Sequence, residues 1–258
     1  MTPETPQSYV VSTELRKAAF DNGWRLEAGE QDGWLMRKSH NAPGTIGLAA
    51  AGPNGPWFLA VDHGGVAVEL GDGRIDLEGP GFARFGYHTT AELHRAVSRA
   101  YDLAVALPDD PLRRFESETR ILPRTTEAER LVIQRVGQDL FRDALMRFWD
   151  GRCPLTGIQE PELLRASHMK PWAECASDAE RLDVYNGLLL SALWDAAFDR
   201  YLVTFTEDGR PEFSTRLSPA TRGRLEEHAF APLQLSSGHQ PYLAFHRAAF
   251  FRKGSAAV

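Results

Sequence analysis

Residues 152–205 read RCPLTGIQEPELLRASHMKPWAECASDAERLDVYNGLLLSALWDAAFDRYLVTF, and the rest of the chain is organised around them. His168 stands just before a Lys170-Pro171-Trp172 turn. Asn186 precedes Gly187 and the apolar run Leu188–Leu190, which reads as a buried strand. Residues 161–168 form one arm of a hairpin or an irregular loop. Ser191 is a good N-cap, so a helix is expected from Ala192 towards Arg200. On that helix Asp195 and Asp199 lie four residues apart and share a face, while Leu193, Ala197 and Phe198 point to the core. Strand, loop with an amide, and helix with an acid make a ββα-metal arrangement.

A base, an amide and a carboxylate at these intervals suit the clasping of a metal ion against a phosphodiester. Hydrolysis of that bond calls for a base of near-neutral pKa to activate water, which suits histidine. It also calls for a divalent ion to stabilise charge on the phosphate and the leaving oxygen, and a hard ion takes carboxylate, amide or water oxygens. Each residue has a plainer reading. A histidine before Lys-Pro is commonly a surface or capping residue, Asn-Gly is commonly a turn, and an aspartate in a first helical turn offsets the helix dipole.

The stretch resembles the HNH endonuclease family, in the branch whose motif reads roughly CxxTG…AHIxPW…NGLLLS…LHxLFDxGLIxF. Here the corresponding residues are Cys153-Pro154-Leu155-Thr156-Gly157, Ser167-His168-Met169-Lys170-Pro171-Trp172, Asn186 through Ser191, and Phe198-Asp199-Arg200-Tyr201-Leu202. With its flanking segments the resemblance covers residues 126–252. It implies that His168 is the general base and that Asn186 orients that base or touches the metal. Asp195 falls where the family usually has a histidine, and with it the metal expected is Mg²⁺ or Mn²⁺. Asp199 is an auxiliary metal ligand or a structural residue. Ser167 replaces an acid or histidine that many members use as a further ligand. Lys170, Arg165 and Arg200 are candidates to hold the phosphate. The implied activity is metal-dependent DNA cleavage, in restriction or defence. The alternatives are a catalytically decayed scaffold that binds DNA or protein, and a nuclease directed at RNA.

Working outward, 258 residues suggest two domains. The expected division is an α+β recognition domain over 1–110, a linker over 111–125 and the HNH nuclease domain over 126–258. Thr126 and Glu129 resemble a capping box that opens a long helix to Trp149, with Leu131, Val132, Val136, Leu140, Leu145 and Phe148 as its apolar stripe. In the first domain a short helix is expected over 12–22. Strands are expected at 24–26, 34–37, 45–50, 57–61 and 66–70, with a hairpin turn at 62–65, followed by a helix over 90–107. The aromatic residues there suit a core, with one or two left to form a pocket for a flipped or modified base.

The net charge of −6 lies wholly in residues 1–110, which hold 9 Lys and Arg against 15 Asp and Glu, while the remainder is balanced at 20 each. A balanced half still presents local basic faces, and the C-terminal arginines offer one. Two cysteines exclude a disulfide scaffold or a four-cysteine zinc site. No GxGxxG, P-loop or GxSxG pattern occurs. Neither a signal peptide nor a membrane span is legible, so the expected location is the cytoplasm and the expected partner is DNA, including modified DNA. Cutting both strands makes a homodimer a reasonable expectation.

Overall fold

The computed structural model describes residues 2–71, 73–123, 125–229 and 231–255. The fold is α+β, and the chain forms two compact units, Met1–Asp110 and Pro111–Val258.

The first unit comprises α1 (Tyr9–Asp21), β1 (Leu26–Gln31), β2 (Trp34–Lys38), β3 (Thr45–Ala50), β4 (Trp57–Val61), α2 (Gly64–Glu69), β5 (Ala83–Tyr87) and α3 (Thr90–Ala106). The five strands form an antiparallel meander in chain order. β3 and β4 are buried along their whole length apart from Thr45, because both faces of the sheet are covered. Helices α1 and α3 pack on one face. On the other, Ile75 and Leu77 from the irregular segment before β5 close over Trp34, Ala49, Phe58 and Ala60.

Four expectations are corrected here. Helix α1 begins earlier than residue 12 because Ser8, not Ser12, accepts the Val11 N–H as N-cap, and Phe20 is exposed. Residues 66–70, expected as a strand, lie in and just after α2, since the His63 ring accepts the Val66 N–H and caps a helix where a hairpin turn was expected. Strand β5 was not anticipated. The expected linker over 111–125 is largely helix α4 (Asp109–Thr119), with Pro111 in its first turn, where a missing N–H costs nothing.

The second unit continues with α5 (Glu127–Phe148), β6 (Leu164–His168), α6 (Asp178–Leu182), β7 (Gly187–Ser191), α7 (Ala192–Asp199), β8 (Val203–Phe205), β9 (Pro211–Phe213), α8 (Pro219–Glu227) and α9 (Gln240–Ser255). The capping box of Thr126 and Glu129 opens α5. The apolar stripe is buried only from the middle of the helix onward, and Leu131 and Val132 are exposed. β6 and β7 pair antiparallel, with Ser167 opposite Leu188 and His168 opposite Gly187. α5 packs against this hairpin, as does α7. α9 is pinned by His246. Its Nε2–H donates to the Phe198 carbonyl, its Nδ1 meets the Thr204 hydroxyl at 2.9 Å, and its ring lies between Phe198 and Tyr201.

Candidate active site

The β pleat sends alternate side chains to opposite faces, so Leu164, Ala166 and His168 turn one way and Arg165 and Ser167 the other. The first set meets α5. The His168 ring stacks on Phe141 at 3.8 Å between centroids, with Trp172 edge-on to it. Phe141 lies that close to the hairpin because residue 187 is glycine. A Cβ there would sit 2.5 Å from the Phe141 ring. Gly137 on the same helix leaves room for Trp172 in the same way.

The orientation of His168 is fixed by one bond. Its Nε2 lies 2.9 Å from the Arg181 carbonyl, which only accepts, so Nε2 carries the proton and Nδ1 carries the lone pair. Nδ1 has no hydrogen-bond partner among the described residues. Burial holds the imidazole neutral, with its pKa lowered to about 4. The Arg181 side chain ties the loop that supplies this carbonyl, donating to the Trp172 and Cys175 carbonyls and pairing with Asp178 at 2.8 Å.

Asn186 is fully buried and every polar atom of its side chain is engaged. Its Oδ1 accepts the Lys170 N–H at 2.8 Å, and its Nδ2 donates to the carbonyls of Lys170 and Glu180. The Asn186 carbonyl accepts the Met169 N–H as well. The residue therefore clasps the chain immediately after His168, and it is not open to a metal ion. Its expected place among the metal ligands is corrected on that ground.

On the other face of β6 the Ser167 hydroxyl donates to Asp195 Oδ1 at 2.6 Å. This joins the two positions at which the chain departs from the family motif, a link the sequence did not reveal. Asp199 is exposed at the end of α7 and makes no hydrogen bond among the described residues. It stands one turn, about 6 Å along the axis, from Asp195. Among the described residues no group of three or more His, Cys, Asp or Glu is placed to hold a metal ion. The donors available on this face are the Asp195 carboxylate and the Ser167 hydroxyl, both hard oxygens, and they fit a hard divalent ion completed by water and substrate oxygens.

The candidate phosphate ligands divide. Lys170 is largely buried and pairs with Glu180 at 2.8 Å, which holds that carboxyl below its usual pKa, so Lys170 is withdrawn from the phosphate set. Arg165 is exposed on the Ser167 side of β6, its guanidinium bonded among the described residues only to the Glu162 and Leu164 carbonyls. Arg200 is exposed and reaches back to the Ala196 carbonyl. The expected basic face at the C-terminus is largely neutralised, because Arg222, Arg224 and Arg247 pair with Glu226, Glu227, and Glu207 and Glu212. Arg142 on α5 is a supporting residue that no motif marks. Its guanidinium clamps the Leu164 and Pro161 carbonyls and holds β6 to α5. Leu193, expected in the core, is half-exposed beside a cavity of about 300 Å³ that Leu163, Ser191, Trp194 and His228 also line.

With this geometry in place, residues 153–206 match the family model described as HNH endonuclease. Over these residues the chain is similar to the HNH endonuclease family. The match starts at Cys153, spans the β6–β7 hairpin and α7, and ends just past β8. HNH nucleases act on nucleic acid and generally use a divalent metal ion. No curated protein matches the chain. Among the described residues no helix is long and apolar enough to cross a membrane.

Proposed function

We propose that the HNH unit is a metal-dependent endonuclease that hydrolyses DNA phosphodiester bonds, with His168 as general base. The observation that carries this reading is the bond from His168 Nε2–H to the Arg181 carbonyl. It presents Nδ1 as a neutral acceptor, which is the form a general base requires. The steps assigned to the chain are few. Nδ1 takes a proton from water as the oxygen attacks phosphorus, and the 3′-oxygen leaves. Asn186 holds the loop after His168, Phe141 backs the ring, and Arg165 and Arg200 offer exposed guanidinium groups to phosphate. A divalent ion, Mg²⁺ or Mn²⁺, held by Asp195 with Ser167 beside it and Asp199 as an auxiliary ligand, supplies stabilisation of charge on the phosphate and leaving oxygen. A pKa near 4 makes a weak base in the free protein, and the negative phosphate raises it when substrate arrives.

In this reading the chain is a cytoplasmic restriction or defence nuclease. Residues 1–110 select the DNA, modified DNA included, the HNH unit cuts it, and a homodimer supplies the second nick. The lack of a three-ligand metal cluster among the described residues favours a second reading, a non-catalytic DNA- or protein-binding module. Nicking of plasmid, phage and modified DNAs, with RNA as a parallel substrate, separates the two when run with Mg²⁺, Mn²⁺ or EDTA. Metal-dependent cleavage that His168→Ala abolishes supports the nuclease. Full cleavage by the well-folded His168→Ala protein removes His168 from its role, and silence on every substrate selects the binding module.

A further inference from the structure

The first unit contains a cavity of about 540 Å³ between the β4–β5 end of its sheet and the irregular segment that precedes β5. Its volume lies within the range of small-molecule sites. Three features of the strand register produce it. Phe58 and Gly86 are directly paired across β4 and β5 and so share a sheet face, and the missing side chain at 86 admits Ile75, which a Cβ there would meet at 3.3 Å. Ile75 and Leu77 cover that face, and Arg84 fastens their segment by donating to the Leu77 and Gly81 carbonyls. The Ile75 and Gly86 N–H groups bond to the Arg84 and Gly73 carbonyls, so the wall opposite the sheet is itself anchored. The cavity is thus a built space with an apolar floor.

Its mouth is polar and lacks any cation. Asn54, Asp76 and His88 line it together with Phe58 and Tyr87, and among the described residues neither Lys nor Arg does. Asp76 is an exposed acceptor, and Asn54 offers both an acceptor and donors. With no positive charge at the mouth and a carboxylate in place, a phosphate or carboxylate ligand is disfavoured. A flat neutral ring carrying an amine donor and a ring acceptor matches the set, with an aromatic wall on which to stack.

We propose that this cavity is a binding site for a nucleobase with an exocyclic amine, of the cytosine or adenine type. The assignment rests on the first unit alone and stands whether or not the HNH unit cleaves. The ligand reaches the site either as a free nucleoside or as a base turned out from a strand, and the chemistry of recognition is the same.

The test is titration calorimetry on the full chain in EDTA, so that no strand is cut. Deoxycytidine, 5-methyldeoxycytidine, deoxyadenosine, thymidine and short single-stranded oligonucleotides of the same bases serve as probes. Saturable binding of an amine-bearing nucleoside is expected, stronger than that of thymidine and weakened at least tenfold in Asn54→Ala, at an exposed position. Asp76→Asn, at an exposed position where folding is not at risk, is expected to erase or reverse the preference over thymidine. Equal affinity for nucleoside and oligonucleotide identifies a free ligand, and tighter oligonucleotide binding identifies a base presented by a strand. Both results sustain the proposal. It is overturned if no probe binds at millimolar concentration, or if Asp76→Asn leaves the order of preference unchanged.

Discussion

Acid should weaken the HNH unit well before its carboxylates titrate. His239 and His246 are buried and His168 is largely so, and in each burial lowers the imidazole pKa to about 4 from an ordinary 6.5. The unfolded chain therefore binds these protons first. Their contribution to stability is fully present above pH 6.5 and is lost as pH falls towards 4. Moving from pH 7 to pH 5 costs about 2 kcal/mol per imidazole, and roughly 5–6 kcal/mol for the three together. That is comparable with the whole stability of an ordinary domain. At pH 5.5 unfolding should take up about 2.6 protons through these side chains alone. Urea unfolding followed by tryptophan fluorescence and far-UV circular dichroism, at half-unit steps from pH 7 to 5, measures the slope. The carboxyls of Glu129, Glu180 and Asp208 are held below their ordinary values and so add their losses at lower pH. Asp183, raised by burial, acts in the opposite sense. The His246→Gln variant isolates one term. It should be less stable at pH 7, yet lose about 2 kcal/mol less between pH 7 and 5. Equal slopes for wild type and His246→Gln would refute the account of a neutral, buried ring.

Further outcomes follow from the site. On the nuclease reading, the acid limb of kcat/KM reports free His168, so it should lie near 4, and an inflection near 6.5 would contradict the burial assigned to the ring. Asp195→Ala should abolish metal-dependent cleavage and cost about 1–3 kcal/mol in urea unfolding, because it leaves the buried Ser167 hydroxyl without its acceptor; a fully active variant would remove it from the metal site. Gly187→Ala forces a methyl against the Phe141 ring and should cost about 1–3 kcal/mol in urea unfolding and displace His168, so unchanged stability would show that the contact yields freely. Asn186→Ala strips partners from the Lys170 N–H and should cost about 1–3 kcal/mol without altering which metals support activity, whereas a changed metal preference would return the residue to the ligand set.

The elements visible in the sequence were those whose signals are local. Thr126 and Glu129 three residues apart opened α5 where expected, and the unbroken Leu188–Leu190 run gave a strand buried along its whole length. Misreadings arose where a less common group did a familiar job. A histidine ring caps α2, so residues 66–70 looked like a strand with a turn before it. The prolines at 108 and 111 suggested an unstructured linker, although a proline in a first turn is compatible with a helix. At the site, residue identity pointed to His168 and Asp195 but not to their supports. Phe141 and Arg142 act from a helix more than twenty residues away, and Arg181 fixes the imidazole through its carbonyl, which no side-chain pattern encodes. Asn186 is the most instructive case. An amide has the right donors for a metal site and for a loop clasp, and only the fold shows that all of them are used by backbone.

The two faces of β6 are built to different standards, and this bears on how the proposed chemistry divides. His168 is held by a ring stack, an edge contact and a backbone acceptor, on a loop tied by Asn186 and Arg181, so its Nδ1 is set in place before any ligand arrives. Such preorganisation removes the cost of orienting the base during reaction. The Asp195 face has one carboxylate, and one of its oxygens already accepts the Ser167 hydroxyl. That bond aims the carboxylate but draws electron density from it, so it holds a cation less tightly than an unshared acid with a second charged ligand would. On the proposed reading the substrate phosphate supplies the further negative oxygens that a single carboxylate lacks, and metal affinity is substrate-linked.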